Sequence, residues 1–166
     1  MYRQMNDYYR AQDTLSEGTR RLFSALTDEN ISYGQDSHRT LCQIAWHIVT
    51  TIPEMMNRTG LGLSSVDPDS MPPTTADEIR EAYQQVSGEL IGAIRANWTD
   101  DSLNQTDELY GQEWTRGFTL GVLLQHEIHH RAQMTVLLRQ AGATVPGLFG
   151  PAKEEWEQYG MKLPAY

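Results

Sequence analysis

The sequence predicts an all-α protein, a four-helix bundle in up-down-down-up order with two long crossover connections and a short C-terminal helix. Four segments repeat apolar residues at the spacing of an amphipathic helix, and hardly any segment alternates apolar and polar residues as a strand does. Two connections, residues 60–74 and 98–117, are too long for tight turns. The first can cross the bundle and leave the second and third helices parallel. We expect one domain over residues 1–166.

The first two predicted helices place polar side chains among their apolar residues. The first helix covers Tyr2 to Leu26, and its inward stripe consists of Met5, Tyr8, Gln12, Leu15, Thr19, Leu22 and Leu26. Its polar members either line a pocket or are core atoms with hydrogen-bond partners. The second helix runs from about Ser37, its predicted N-cap, to about Arg58, and His47 lies on its inward stripe.

The third predicted helix opens with a capping box at Thr75 to Glu78. Its inward stripe consists of Ile79, Tyr83, Val86, Leu90 and Ile94. The fourth helix covers Thr119 to Ala141, and its predicted stripe consists of Leu123, His126, His130, Met134, Leu137 and Ala141. A short helix follows over Ala152 to Tyr159.

The second long connection carries several aromatic residues and an arginine. They are Trp98, Tyr110, Trp114 and Arg116. The sequence leaves two interpretations open. The rings either overhang a ligand cavity or seal one end of the bundle.

Charge and composition exclude several classes of partner. The formal net charge of −9 repels phosphate backbones, and no cluster of lysine and arginine offsets it, so nucleic acid and anionic membranes are not expected. No apolar run approaches the length of a membrane span, and the N-terminus resembles neither a signal peptide nor a basic anchor. The single Cys42 cannot form an internal disulfide, which fits a reducing cytoplasm.

Three histidines are predicted to face the interior of the bundle: His47, His126 and His130. Burying an imidazole without a partner costs about 1–3 kcal/mol, so each needs one. The pair in the fourth helix, at i and i+4, favours a shared metal ion over two hydrogen-bonded core histidines. Three neutral imidazoles around a divalent ion leave roughly one to three positions open for water or substrate.

Two other metal motifs overlap these residues. Residues 126–130 read H-E-x-x-H, the signature of zinc proteases, with Glu127 as general base and a third ligand from Glu154, Glu155 or Glu157. No strand pattern precedes the helix to form a substrate-binding edge, which argues against a protease. Glu127 and His130 also match one Glu-x-x-His motif of a ferritin-type carboxylate site, but that site needs a second such motif and the sequence contains none. His129 lies off the stripe, and we expect it behind the ligands, at an interface or in solvent.

The run HHRAQMTVLLRQAG, preceded by His126 and by an isolated inward His47, resembles the DinB/YfiT-like family of four-helix metalloproteins. The resemblance covers essentially the whole chain, including the tail VPGLFGPAKEEWEQYGM. It implies an up-down-down-up bundle, often a homodimer, with a tri-histidine site for one divalent ion, zinc or nickel above all. By position, His47, His126 and His130 match the three ligands, and Ala132 stands where glycine is common. Relatives of this kind include S-transferases and isomerases that use low-molecular-weight thiols.

The residues and the resemblance leave several functions open. The first is a metal-dependent enzyme that transfers a low-molecular-weight thiol to a small electrophile, with Arg116 or Arg131 as a candidate for binding a carboxylate. The second is metal-dependent hydrolysis of a small substrate, and the third is a stress-related protein that binds a metal or ligand without catalysis. We favour an enzyme, and the H-E-x-x-H protease remains an alternative.

Overall fold

The computed structural model describes residues 2–34 and 39–162, and it confirms the predicted all-α bundle. The four long helices are α1 (Met5–Phe23), α2 (Leu41–Met56), α3 (Ala76–Asn97) and α4 (Arg116–Gln140). Two short strands, β1 (Thr106–Leu109) and β2 (Gln112–Thr115), pair as an antiparallel hairpin. The other described elements are 3-10 helices at Asn57–Thr59, Asp100–Asn104 and Lys153–Tyr159.

Contacts at both ends show that α1 runs antiparallel to α3. Arg80, in the first turns of α3, donates to the carbonyl of Leu26 just past the end of α1, at 2.8 Å. At the opposite end, the backbone N–H of Met5 donates to the carboxylate of Asp100 just past the end of α3, at 2.7 Å. The end of α1 therefore lies beside the start of α3.

Helix α4 runs parallel to α1 and antiparallel to α2. Gly117, at the start of α4, lies beside the backbone of Tyr2, which precedes α1. Arg116 donates to the carbonyl of Thr59, just past the end of α2, at 3.4 Å. Since α3 also opposes α1, helices α2 and α3 are parallel, and the predicted up-down-down-up order is confirmed.

The stripes predicted for the first and third helices form the centre of the core. Every member of both stripes is 6% exposed or less. The rings of Phe23 and Tyr83 meet edge-on, with centroids 5.3 Å apart. Gln12 is a core residue with partners, since its Nε2 donates to Ser16 Oγ at 2.9 Å. In the described part of the chain, no helix is both long enough and apolar enough to cross a membrane.

The crossover between α2 and α3 is tied to both helices. The carboxylate of Glu89 in α3 accepts hydrogen bonds from the backbone N–H groups of Ser64 and Ser65, at 2.9 and 3.0 Å. The indole N–H of Trp46 in α2 donates to the carbonyl of Ser70 at 2.9 Å. These bonds give backbone N–H and C=O groups of the long loop protein partners in place of water.

The hairpin within the second crossover was not predicted. Its strands are four residues each and mostly polar, so no apolar alternation marks them, and its turn is formed by Tyr110 and Gly111 with φ of 55° and 76°. Arg116 fastens it to the bundle. The guanidinium pairs with Asp107 at 2.8 Å and lies 4.9 Å from the ring of the buried Trp98. These contacts hold the hairpin against this end of the bundle. Trp98 is buried, whereas Tyr110 is 51% exposed, and the two interpretations of the aromatic residues stay predictions.

The predicted bounds of three helices and the type of a fourth need correction. Helix α1 covers Met5–Phe23 and not Tyr2 to Leu26. Helix α2 begins at Leu41 with Thr40 as its N-cap, and the expected cap Ser37 lies outside the described residues. Helix α4 begins at Arg116, because the side chain of Thr115 accepts from the backbone N–H of Phe118 and caps the helix before Thr119. The short C-terminal helix is a 3-10 helix.

Helix α1 comes close to α4 at Gly18, a buried glycine in its interior. A Cβ added there would lie 2.6 Å from Nη1 of Arg131. That nitrogen cannot easily retreat, because it donates to the carbonyl of Leu15 at 2.8 Å and the arginine is only 2% exposed. The buried arginine therefore requires glycine at this position.

We predict that Gly18→Ala lowers the free energy of unfolding by about 1–3 kcal/mol, because overpacking outweighs the higher helix propensity of alanine. Gly88→Ala in α3 is the matched control. Its added Cβ meets nothing within 4 Å, so it should raise stability by about 0.5–1 kcal/mol. Urea denaturation of both variants measures the difference, and equal stability of the two would contradict the packing described here.

Candidate metal centre

Three histidine side chains meet at the seam between α2 and α4. His47 lies in the middle of α2, and His126 and His130 are about one turn apart in α4. The ring centroid of His47 lies 4.9 Å from that of His126 and 4.7 Å from that of His130. One nitrogen from each ring lies within 4.8 Å of the other two. The structure thus brings together the three residues that the sequence singled out.

The buried face of α4 differs from the predicted stripe. The residues most deeply buried beside the histidines are Glu127 and Arg131, each 2% exposed, whereas His130 is 9% exposed and His126 is half-buried. The histidines therefore lie on the flank of α4 that faces α2, and not on the bundle axis. Apolar spacing does not predict this rotation, because a prediction of that kind places glutamate and arginine at the surface and here both are buried.

Gln133 fixes the proton position on His130. Its Oε1 accepts from Nδ1 of His130 at 2.7 Å, so the neutral ring carries its proton there and presents an unprotonated Nε2. That Nε2 lies 3.1 Å from Nε2 of His126. The amide nitrogen of Gln133 lies 3.1 Å from Nε2 of the exposed His129. His129 therefore contacts the partner of His130 and is not one of the three converging rings.

Burial keeps the three imidazoles uncharged. It lowers the pKa of His47 and of His126 to about 4, and it also lowers the pKa of His130. The positive charge of Arg39 acts in the same direction on all three rings. Near neutral pH each ring therefore offers a nitrogen lone pair, which is the form that binds a metal.

The donor set fits one divalent ion. Zinc–imidazole bonds are about 2.0–2.1 Å long, so two such nitrogens on a tetrahedral ion lie about 3.4 Å apart. The distance of 3.1 Å between the Nε2 atoms of His126 and His130 is close to this spacing, and a nitrogen of His47 lies within 4.8 Å of the other two ligand atoms. Among the described residues no carboxylate or thiol joins the three rings. An ion held here would keep at least one position open for a ligand.

Glu127, the candidate general base of the H-E-x-x-H motif, points away from the histidines into the core. Its Oε1 accepts from Thr19 Oγ1 at 2.5 Å and from the hydroxyl of Tyr83 at 2.7 Å. Burial raises the pKa of Glu127, while these two bonds and the charge of Arg131 oppose the shift. The carboxylate joins α1, α3 and α4, and it is not placed to activate water at the histidines.

The downstream glutamates also lie elsewhere. Glu154 pairs with an arginine in the last turn of α4. Glu155 accepts from the backbone N–H groups of Gly147 and Ala152, at 3.0 and 2.9 Å, and so folds the C-terminal tail on itself. Within the described ranges, none of Glu154, Glu155 and Glu157 belongs to the cluster of possible metal ligands. This geometry argues against the protease alternative.

The arginines considered for binding a carboxylate are both occupied. Arg116 pairs with Asp107, and Arg131 is buried against α1. The arginine beside the histidines is Arg39, which apolar spacing does not single out because it lies just before α2 and outside any apolar pattern. With His130 it lines a pocket of about 540 Å³ between the start of α2 and the second half of α4.

The chain matches the family model of the DinB family over residues 1–161. It belongs to the DinB family. This DinB-family chain is 38% identical over 165 residues to the uncharacterised protein YrdA of Bacillus subtilis (strain 168), with 99% of each chain covered. Its fold superposes on the crystal structure of a DinB-like protein from Bacillus cereus ATCC 10987 with a TM-score of 0.87 and 37% identity, covering 90% of this chain and all of that one.

A second solved structure, the DinB-like protein YjoA of Bacillus subtilis, shares the fold at a TM-score of 0.69 and 19% identity. The match covers 86% of this chain and 97% of that one. The family resemblance inferred from the histidine-containing run is confirmed. The bundle architecture that the resemblance implied agrees with both neighbours.

In this DinB-family protein, we predict that Tyr83→Phe lowers the free energy of unfolding by about 1–3 kcal/mol, because the buried Glu127 loses one of its donors. Tyr110→Phe is the matched control, since its hydroxyl makes a 2.6 Å bond to Glu54 from a ring that is 51% exposed. Its cost should stay within about 0.5 kcal/mol. Chemical denaturation checks both, and an equal cost would show that the Glu127 contact is not structural.

Proposed function

We propose that this protein is a metal-dependent enzyme that joins a low-molecular-weight thiol to a small electrophile, with His47, His126 and His130 holding one divalent ion, zinc or nickel. The observation that carries the proposal is the convergence of three uncharged imidazoles beside an open pocket. Structural zinc sites are closed by four protein ligands and are often rich in cysteine. A three-histidine set next to a pocket is better suited to ligand exchange.

An ion bound by the three imidazoles supplies Lewis acidity, which lowers the pKa of an adjacent thiol and favours its thiolate at neutral pH. The protein sets the orientation and the spacing of the three histidine rings. Gln133 holds the ring of His130 with Nε2 facing the other two histidines, and a partner of this kind also raises the basicity of a ligating imidazole. The two helices that carry the ligands are packed in the core on their opposite faces, so the ligand spacing is set by the bundle.

The overall reaction conserves atoms and charge. The thiol sulfur forms a new bond to the electrophilic carbon, the leaving group departs with its bonding electron pair, and the thiol proton is released to solvent. Membership of the DinB family adds support, because the resemblance implies thiol-dependent S-transferases. No oxidant or reductant is needed.

The proposal predicts turnover that depends on metal and thiol together. We expect zinc- or nickel-loaded protein to accelerate the coupling of 1-chloro-2,4-dinitrobenzene to at least one thiol among cysteine, glutathione and coenzyme A, measured as absorbance of the thioether. Chelation should abolish the acceleration, and His47→Ala should reduce it by about a hundredfold or more. His129→Ala, an exposed histidine outside the ligand set, is the matched control and should retain most of the rate.

The same assay separates the alternatives. Metal-dependent hydrolysis of activated esters without thiol would identify the hydrolase. Metal binding without turnover of either kind would leave a non-catalytic binding protein. Acceleration that survives chelation or the loss of His47 would contradict the proposed site.

A further inference from the structure

The pocket beside the histidines combines apolar walls with one cation. Its lining residues are Arg39, Ile44, His130, Gln133, Val136 and Leu137. Ile44 is 5% exposed and forms part of the core, whereas Val136 is 56% exposed, so part of the apolar lining is open to solvent. An apolar concavity of this kind favours a ligand with an apolar body.

Arg39 is the charged group of this lining, and its charge acts on all three histidines. Five other arginines form ion pairs with carboxylates in the described part of the chain: Arg20, Arg58, Arg80, Arg116 and Arg139. Within the same described residues Arg39 forms no such pair. Because the chain carries a net charge of −9, an anionic ligand needs a local cation of this kind to approach.

The start of α2 offers no competing donors. The backbone N–H of Leu41 donates to the carbonyl of Tyr33 at 2.9 Å, and that of Cys42 donates to the carbonyl of Ile31 at 2.8 Å. The next N–H is capped by the side chain of Thr40. Among the charged side chains that the structure describes in this lining, Arg39 is the cationic donor that can face an anion, and its planar fork suits a carboxylate.

We propose that one of the two reactants carries a carboxylate that Arg39 binds, with an apolar body against Ile44, Val136 and Leu137. Its reactive end then lies toward His130. The inference rests on the proposed function for the reaction, but the preference of the pocket for a carboxylate does not require metal. This separates the two claims experimentally.

The test uses hexanoate and its neutral isostere hexanamide as probes. Binding to the metal-free protein is followed by NMR titration of backbone amides near the pocket. We expect hexanoate to bind at least tenfold more tightly than hexanamide. Arg39→Gln should remove this preference, and Arg39→Lys should restore part of it. Arg10→Gln, an exposed arginine on α1 away from this pocket, should behave like wild type.

Equal affinity for the two probes, or an equal loss in Arg39→Gln and Arg10→Gln, would overturn the proposal. A carboxylate preference that persists in a protein without metal-dependent turnover would overturn the proposed function alone. In the zinc-loaded protein, two further ligands identify which reactant carries the carboxylate. If 3-mercaptopropionate displaces hexanoate and 2-mercaptoethanol does not, the carboxylate belongs to the thiol reactant. If hexanoate stays bound in the presence of either thiol, the carboxylate belongs to the electrophile.

Discussion

The rotation of α4 about its own axis depends on two buried charged side chains. Glu127 and Arg131 are each 2% exposed, and each bonds to groups on α1. A buried charge without partners costs several kcal/mol, so these bonds favour the rotation of α4 that forms them. Within the described residues, the buried Nε of Arg131 is left without a hydrogen-bond partner. His126 and His130 each precede one of these residues by one position, about 100° around the helix. The rotation that buries the charged pair therefore turns both imidazoles toward α2 and His47.

This arrangement places the histidines at a seam rather than on the bundle axis. At the seam the rings are buried enough for desolvation to keep them uncharged, and the pKa of His47 and of His126 falls to about 4. They also remain close enough to solvent for a pocket to open beside His130. Core charged groups and the candidate metal-binding histidines thus share one helix and lie on neighbouring faces of it.

The sequence predicted the elements whose burial follows an apolar repeat. The stripes of α1 and α3, including Gln12, are buried as expected, and the three histidines meet. The exact face of α4 was not predictable from apolar spacing, because Glu127 and Arg131 are buried through partners on other helices. Arg39 was missed because its position beside the histidines depends on how the chain enters α2. The hairpin was missed because its strands are short and polar.

We propose that His47, His126 and His130 together bind one divalent ion. The most direct test is metal content by plasma mass spectrometry, together with X-ray absorption, on zinc-loaded wild type, His47→Ala and His129→Ala. We expect about one zinc per chain in wild type and His129→Ala, with three imidazole nitrogens at about 2.0–2.1 Å, and a large loss of zinc in His47→Ala. Full zinc content in His47→Ala, or a shell dominated by carboxylate oxygens, would contradict the account.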